Sequence, residues 1–343
     1  MKLIIHAPNI HCGGGLSLLH SLLSVIPNKT QLILDERFSV SEKDLGRFHV
    51  LRVKPKLFQR FLAEWHLRKI VKDDDTILCF GNLPPLFRLK GNVNVFLQNR
   101  YLIDSVNFAL LPLKLRVRLQ MERLWLRLCI GHADQIIVQT PSMQALLKMH
   151  FSMDAHVLPF VADAENFNKH SNDSEGDQKA YDFVYVASGE PHKNHRKLIH
   201  AWRILSEQNI RPHLCLTVDQ EQFPELLSWI EHLRFEYDLK IHNLGFVSAE
   251  KIKAIYDTSK ALIYPSTLES FGLPLIEARC SHLAILASEL DYVRDLVDPE
   301  QSFDPDSPVS IARAVKRFMG LNDQPLPLLN AADFMERIVK LCK

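Results

Sequence analysis

Short apolar runs alternate with helix-length segments along nearly the whole chain, and this alternation limits the fold more than any other feature. Runs at Leu3–His6, Gln31–Leu34, Thr76–Phe80, Val93–Leu97, Gln135–Val138 and His156–Pro159 form a first series. Phe183–Ala187, His213–Val218, Lys240–Leu244, Ala261–Tyr264 and Ala284–Ala287 form a second. Runs apolar on both faces and spaced by helices are the pattern of parallel βαβ units. Between the series, Asp163–Ala180 has almost no apolar content, which predicts an exposed linker. The expectation is an α/β protein of two Rossmann-like, doubly wound domains. One covers 1–162 and the other 181–330, with a linker over 163–180 and a closing helix over 331–343. Ligands of such sheets sit beyond the carboxyl ends of the strands, so the natural site is the cleft between the domains.

Composition agrees. With 343 residues and 47% hydrophobic content, each half can bury a core. The six cysteines at 12, 79, 129, 215, 280 and 342 form no CxxC pair and several lie in apolar runs, so they read as reduced core residues. The apolar start is too short for a signal peptide, and no run of about 18 uncharged apolar residues exists to span a membrane. A cytoplasmic protein is expected. The sixteen histidines show no metal-binding spacing, so no metal site is expected.

The net charge of +1 hides an asymmetry. Residues 1–160 carry 21 Lys+Arg against 12 Asp+Glu, and the remainder 20 against 28. A basic first half points to an anionic partner or an anionic membrane surface rather than to nucleic acid. Leu113–Leu128 reads LKLRVRLQMERLWLRL, which fits either a core helix with a solvated basic face or an interfacial helix on anionic lipid. Arg47–Lys72, basic with Phe58, Phe61 and Trp65 interleaved, gives the second reading some support.

The chemistry concentrates in Tyr264-Pro-Ser-Thr-Leu-Glu-Ser-Phe-Gly-Leu-Pro-Leu-Ile-Glu277. Pro274 suits the first turn of a helix. The N–H groups of Ser270, Phe271, Gly272 and Leu273 then lie at a helix N-terminus, a ready site for a diphosphate, and Gly272 allows close approach or positive φ. Glu269 before the loop and Glu277 one turn inside the helix are acceptors suited to paired sugar hydroxyls. The plainer alternative is that both only cap the helix and complement its dipole.

The pattern Glu-Ser-Phe-Gly-Leu-Pro-Leu-Ile-Glu resembles the E-x7-E motif of family 4 of the retaining GT-B glycosyltransferases, the glycosyl transferases group 1. Other segments are similar to that family in the right order: Ala133-Asp-Gln-Ile-Ile-Val-Gln-Thr-Pro-Ser, Tyr185-Val-Ala-Ser-Gly-Glu-Pro-His-Lys-Asn194, and Leu244-Gly-Phe-Val-Ser. The resemblance implies a GT-B fold with a nucleotide-sugar donor, UDP- or GDP-linked, and no cofactor. It implies that Glu269 contacts the donor sugar, Glu277 the ribose, and Lys193 the diphosphate. The loop amides at 270–273 hold phosphate or sugar oxygens, and the backbone near Phe246 and Val247 faces the base. Gly13, Gly14 and Gly15 line the cleft from the other domain; by themselves they equally fit a tight strand-to-helix turn. Gln98 stands near where many relatives have histidine. A neutral amide cannot act as base, but it can orient a hydroxyl. His11 or His20 remains an alternative base. No arginine stands near Ser188, where many relatives have one, which leaves Arg196 as a candidate replacement. His282 and Ala284 stand where the family usually has glycine and proline. His192 fits either a phosphate contact or an exposed loop position.

The implied reaction moves a sugar, with retention, to a glycan or lipid-linked acceptor in bacterial surface polysaccharide synthesis. Peripheral contact with the inner face of the membrane is part of that expectation. Two rivals are a GT-B sugar-nucleotide epimerase, which needs no acceptor, and a non-catalytic sugar-nucleotide-binding subunit.

Overall fold

A computed structural model describes residues 2–11, 13–39, 46–106, 108, 111–160 and 179–321. The first strand, β1 (Leu3–Ala7), leads into helix α1 (Gly13–Val25). Then follow β2 (Gln31–Asp35), β3 (His49–Val53), α2 (Leu57–Ile70), β4 (Thr76–Cys79), β5 (Asn92–Phe96), α3 (Leu113–Cys129), β6 (Gln135–Val138), α4 (Pro141–Phe151) and β7 (His156–Val157). All seven strands are parallel, in the order β3-β2-β1-β4-β5-β6-β7. Successive residues of a strand face opposite sides, so β1 serves two layers. Ile5 and Ala7 pack with Leu18, Leu19 and Leu23 of α1. Ile4 packs on the other face with Ala63 and Leu67 of α2.

The second domain runs β8 (Tyr181–Tyr185), α5 (His195–Glu207), β9 (Leu214–Leu216), α6 (Pro224–Glu236), β10 (Ile241–Asn243), α7 (Ala249–Asp257) and β11 (Ser259–Tyr264). It closes with α8 (Leu273–Cys280), β12 (Ala284–Ser288), α9 (Asp291–Arg294), β13 (Gln301–Phe303) and α10 (Pro308–Phe318). Its parallel sheet has the order β10-β9-β8-β11-β12-β13. Helix α5 buries Leu198, Ile199, Ala201, Trp202 and Leu205 along one stripe, the 3.6-residue period of a core-facing helix. In both sheets the strand order reverses beside the first strand, between β1 and β4 and between β8 and β11. Each reversal opens a crevice at the carboxyl ends of those strands.

All eleven expected strands are present, within a few residues at their ends. Two more, β3 and β13, were not expected. Both are edge strands, and β3 (His-Val-Leu-Arg-Val) buries only Val53 fully. An edge strand lacks the two-sided apolar run by which interior strands announce themselves. With β3 counted, Val93–Leu97 belongs to the fifth strand of the first domain, not the fourth. Except for Lys179 and Ala180, the expected linker from 163 to 180 lies outside the described residues, as does the helix expected over 331–343. Of the cysteines, Cys79, Cys129 and Cys215 are free and buried and Cys280 is free and half-buried; Cys12 and Cys342 lie outside the described residues.

Candidate active site

The two chain segments that carry the charged residues leave the sheet side by side, because β8 and β11 are neighbours at the switch point. After β8 the chain makes a 3-10 turn, Pro191–Lys193, ending on Asn194 in the left-handed region (φ 61°, ψ 31°). The Asn194 amide donates to the carbonyls of Pro265 (3.1 Å) and Pro305 (2.7 Å). From the other segment, the Thr267 N–H (2.8 Å) and the Ser266 hydroxyl (3.1 Å) donate to the His192 carbonyl. With the two loops tied in this way, Lys193 and Glu269 meet. Lys193 Nζ lies 2.6 Å from Glu269 Oε1, with side chains 16% and 11% exposed. The Tyr264 hydroxyl donates to the same oxygen at 2.8 Å.

A layer of buried hydroxyls holds this backbone. Tyr185 donates to the Lys193 carbonyl (2.6 Å), while Tyr292 (2.9 Å) and Ser288 (3.0 Å) donate to that of Ser266. The Tyr185 and Tyr264 rings meet edge-on at 5.6 Å. The loop then turns into α8. Phe271 is buried, and Gly272 is the N-cap with φ 78° and ψ 53°. A Cβ there would lie 3.1 Å from Leu275 Cδ1, so both conformation and space favour glycine. Pro274 sits in the first turn. The leading N–H groups of α8 have no partner within the helix and present partial positive charge. Glu277, one turn in, accepts a hydrogen bond from Tyr256 at 3.0 Å.

The first domain supplies the facing wall. Gly13 opens α1 with φ 69°. A Cβ on Gly14 would stand 3.0 Å from Leu273 Cδ1, so the missing side chain lets the two domains approach at this point. Gln98, just past β5, donates from Nε2 to the Phe80 carbonyl (3.1 Å), and its N–H donates to Asn82 Oδ1 (2.5 Å). The Arg100 N–H crosses the cleft to Ser270 Oγ at 2.9 Å, and the Tyr101 and His192 rings meet edge-on at 5.6 Å. These residues enclose a cavity of about 280 Å³ lined by Gly15, Gln98, Arg100, Tyr101, His192 and Glu269, among others. A larger concavity of about 740 Å³ lies at the amino ends of β12 and β13, on the side away from the paired charges. Ligands of doubly wound sheets bind at carboxyl ends, so the smaller cavity marks the site.

Burial works against ionisation of Glu269, but Lys193, Ser266 and His192 outweigh it and hold the carboxyl below its ordinary range. Glu269 is therefore an anion at neutral pH, an acceptor and not an acid. Glu277 differs: burial pushes it up and the Tyr256 hydrogen bond offsets this only in part. His192 is lowered by burial and by Lys193, against the pull of Glu269 and Glu190, and is neutral at pH 7. Burial, Glu269 and Glu190 push the Tyr101 hydroxyl up to about 12. Among the described residues no cluster of three or more His, Cys, Asp or Glu side chains could hold a metal ion.

Of the residues singled out in the sequence, the fold brings His192, Glu269, Ser270, Gln98 and Gly15 around one cavity, pairs Lys193 with Glu269 at its edge, and sets Gly14 against Leu273. Gly13, Phe271 and Gly272 shape the two loops. Glu277 and Val247 are not among the cavity's lining; Val247 packs on the core of the second domain. Arg196 does not join the Lys193 cluster, since its guanidinium lies 4.7 Å over the Trp229 ring. His11 lies 4.0 Å from Asp35, and His20 stacks on Phe38 at 4.6 Å. His282, standing where the resemblance expects glycine, adopts φ 52°. The glycine preference there is thus conformational, and histidine occupies the position under strain. Sequence reasoning did not single out the supporting hydroxyls of Tyr185, Tyr264, Tyr292 and Ser288. The trace they leave is that Tyr185, Tyr264 and Ser288 each end a strand, and Tyr292 lies in the short helix after one.

Two parallel-sheet α/β domains facing a cleft across their switch points define a GT-B fold. Anabaena HepE, solved in complex with UDP and glucose, superimposes with a TM-score of 0.63 at 14% identity, over 93% of this chain and 89% of that one. Residues 166–332, slightly under half of the chain, match the family model of Glycosyl transferases group 1. Among curated proteins, the serotype-specific mannosyltransferase WbdA of Escherichia coli is 30% identical over 149 residues, 41% of this chain and 18% of WbdA. The O-antigen chain mannosyltransferase RfbU of Salmonella typhimurium is 23% identical over 202 residues, 59% of this chain and 55% of RfbU. The chain thus spans less than a fifth of WbdA and about half of RfbU.

Proposed function

We propose that the protein is a retaining hexosyltransferase, moving a sugar from a UDP- or GDP-linked donor to a hydroxyl of a glycan or lipid-linked acceptor in bacterial surface polysaccharide synthesis. One observation carries this reading: the Lys193–Glu269 pair, nearly closed to solvent beside the N-terminus of α8, facing Gln98 and Gly15 across the cleft. The family match over 166–332 and the O-antigen mannosyltransferases named above support the substrate class. In this reading the donor diphosphate takes the place of Glu269 as the partner of Lys193 and also receives the N–H groups at 270–273. The Glu269 carboxylate turns to the sugar hydroxyls and Glu277 to the ribose.

The acceptor oxygen bonds to the anomeric carbon on the face from which the phosphate oxygen departs, and its proton passes to that oxygen. The protein supplies positioning and stabilises the negative charge that grows on the leaving diphosphate. Gln98 and neutral His192 orient hydroxyls without taking protons. The test is a thermal-shift screen of UDP-, GDP-, dTDP- and CMP-sugars, since a ligand bound to the folded state raises apparent stability. It is followed by transfer assays on the stabilising donor with and without oligosaccharide and lipid-linked acceptors, with the product anomer read by NMR. Acceptor-dependent transfer with retention is expected. A changed nucleotide sugar formed without acceptor, or an inverted anomer, would refute the reading.

A further inference from the structure

Two helices on the surface of the first domain carry apolar side chains where a solvated helix face carries polar ones. On α3, Leu113, Val117, Met121, Leu124 and Leu128 are 72%, 48%, 53%, 58% and 72% exposed. Their spacing of four, four, three and four residues puts them in a single stripe, opposite the face that buries Leu119, Leu126 and Cys129. On α2, Phe58, Phe61, Leu62 and Trp65 form a second exposed stripe. The segment after β4 joins the two: Phe87 meets Phe61 and Trp65 edge-on, and the Pro84 carbonyl accepts from Trp125 Nε1 at 3.0 Å. Arg60 of α2 also lies within the electrostatic reach of Glu122 and Arg118 of α3. The stripes therefore belong to one surface.

Cations flank that surface. On the helical wheel, Arg116 and Arg127 stand on one side of the α3 stripe, with Lys114 and Arg118 on the other. Arg68 and Lys69 lie beside the α2 stripe, with Lys69 Nζ 5.3 Å over the Trp65 ring. The carboxylates on these helices turn away: Glu64 is buried beside His6, and Glu122 is 17% exposed and faces Arg118. The exposed Asp73 and Asp74 lie beyond the last turn of α2.

We propose that this α2–α3 face docks on an anionic phospholipid bilayer. Apolar stripes flanked by cations match the headgroup–acyl boundary, where aromatic and leucine side chains enter and Lys and Arg meet lipid phosphates. A second copy is a poor occupant, because the same basic face would meet itself. Docking also bears on the site: Arg123 of α3 donates to the Tyr101 carbonyl at 2.7 Å, and so holds the turn that walls the cleft. The proposal does not depend on the transferase reading, since vesicle binding is measured without donor or acceptor.

The test is cosedimentation of the full chain with vesicles of phosphatidylcholine alone or with about 30% phosphatidylglycerol, at about 0.05 M and 0.5 M salt. Binding is expected to anionic vesicles at low salt, and to fall at high salt and on neutral vesicles. Lys114→Glu/Arg127→Glu should weaken it at least about thirtyfold, from about fivefold per cation removed. Leu113→Ser/Leu128→Ser should weaken it about tenfold through lost insertion. All four positions are exposed, so Tm stays at the wild-type value. Trp65 emission should shift to the blue on anionic vesicles, and Trp65→Phe should remove the shift. Equal binding to neutral vesicles, no binding by the wild type, or binding unchanged in both double variants would overturn the proposal. So would a dimer in sedimentation velocity that Leu113→Ser/Leu128→Ser dissolves.

Discussion

Replacing Lys193 by methionine tests the centre of the site through stability as well as rate. The variant keeps the aliphatic stem but leaves Glu269, 11% exposed, without the ammonium 2.6 Å from Oε1. Stripping one partner from a buried ion pair costs about 3–5 kcal/mol; the low end, about 3 kcal/mol, applies here because the Tyr264 hydroxyl remains on the carboxylate. That loss depends on pH. In the wild type Lys193 helps to hold the Glu269 carboxyl below its ordinary range, so the pair's stabilisation is present above the unfolded pKa and disappears as pH falls through the folded one. In the variant burial acts unopposed by the ammonium and the carboxyl rises. The stability gap between the two proteins is then full at pH 7.5 and shrinks as acid neutralises Glu269 in both. Urea unfolding at a series of pH values down to about pH 4 measures it: the raised carboxyl of the variant takes up its proton first, so the gap narrows over this range while the wild-type carboxyl is still ionised. The double variant Lys193→Met/Glu269→Gln should regain most of the loss at neutral pH, because no buried charge is left unpaired. In turnover, Lys193→Met should lower kcat about 10²–10³-fold, as for other electrostatic contacts that strengthen in the transition state. A gap that does not change with pH, or a double variant no more stable than Lys193→Met, would refute the electrostatic account of the pair.

Three further outcomes follow from the same geometry. Gln98→Ala, which removes the side chain held on the Phe80 carbonyl, should lower activity while the pH–rate profile keeps its shape; a limb with an apparent pKa of about 6–7 that vanishes in His11→Ala or His20→Ala would instead make a histidine the base. Gly272→Ala should destabilise by about 1–2 kcal/mol because its φ is 78°, whereas His282→Gly at φ 52° should stabilise by up to about 1 kcal/mol, both read by thermal unfolding. Glu277 binds its proton more tightly folded than unfolded, so its contribution is full below the unfolded pKa and is lost as pH rises through the folded one. Glu277→Gln should therefore flatten the decline in stability over that window, and an unchanged pH–stability curve would show that Glu277 is not perturbed.

The sequence by itself determined the layer architecture, because that is a local property. Interior strands such as Leu3–Ala7 and Ser259–Tyr264 are buried on both faces and read as apolar runs. Helix α8 announced itself through Gly272 and Pro274, since capping depends on neighbours in sequence. The same locality explains the misses: β3 and β13 lie at sheet edges, where burial is partial and the pattern fades. Site residues were legible by type and by resemblance, but their company was not. That Lys193 meets Glu269 across 76 positions, and that Arg100 meets Ser270 across 170, follows from strand order and from how the two domains face each other. No short window of sequence encodes either. Tertiary structure alone decided that Arg196 stacks on Trp229 instead of joining Lys193, and that tyrosine hydroxyls from two strands, β8 and β11, and from helix α9 hold the loops. The apolar stripes of α2 and α3 read in sequence as either core or surface. Only the packed fold, which fills the opposite face of each helix with Leu67 or with Leu119 and Leu126, left those stripes to solvent.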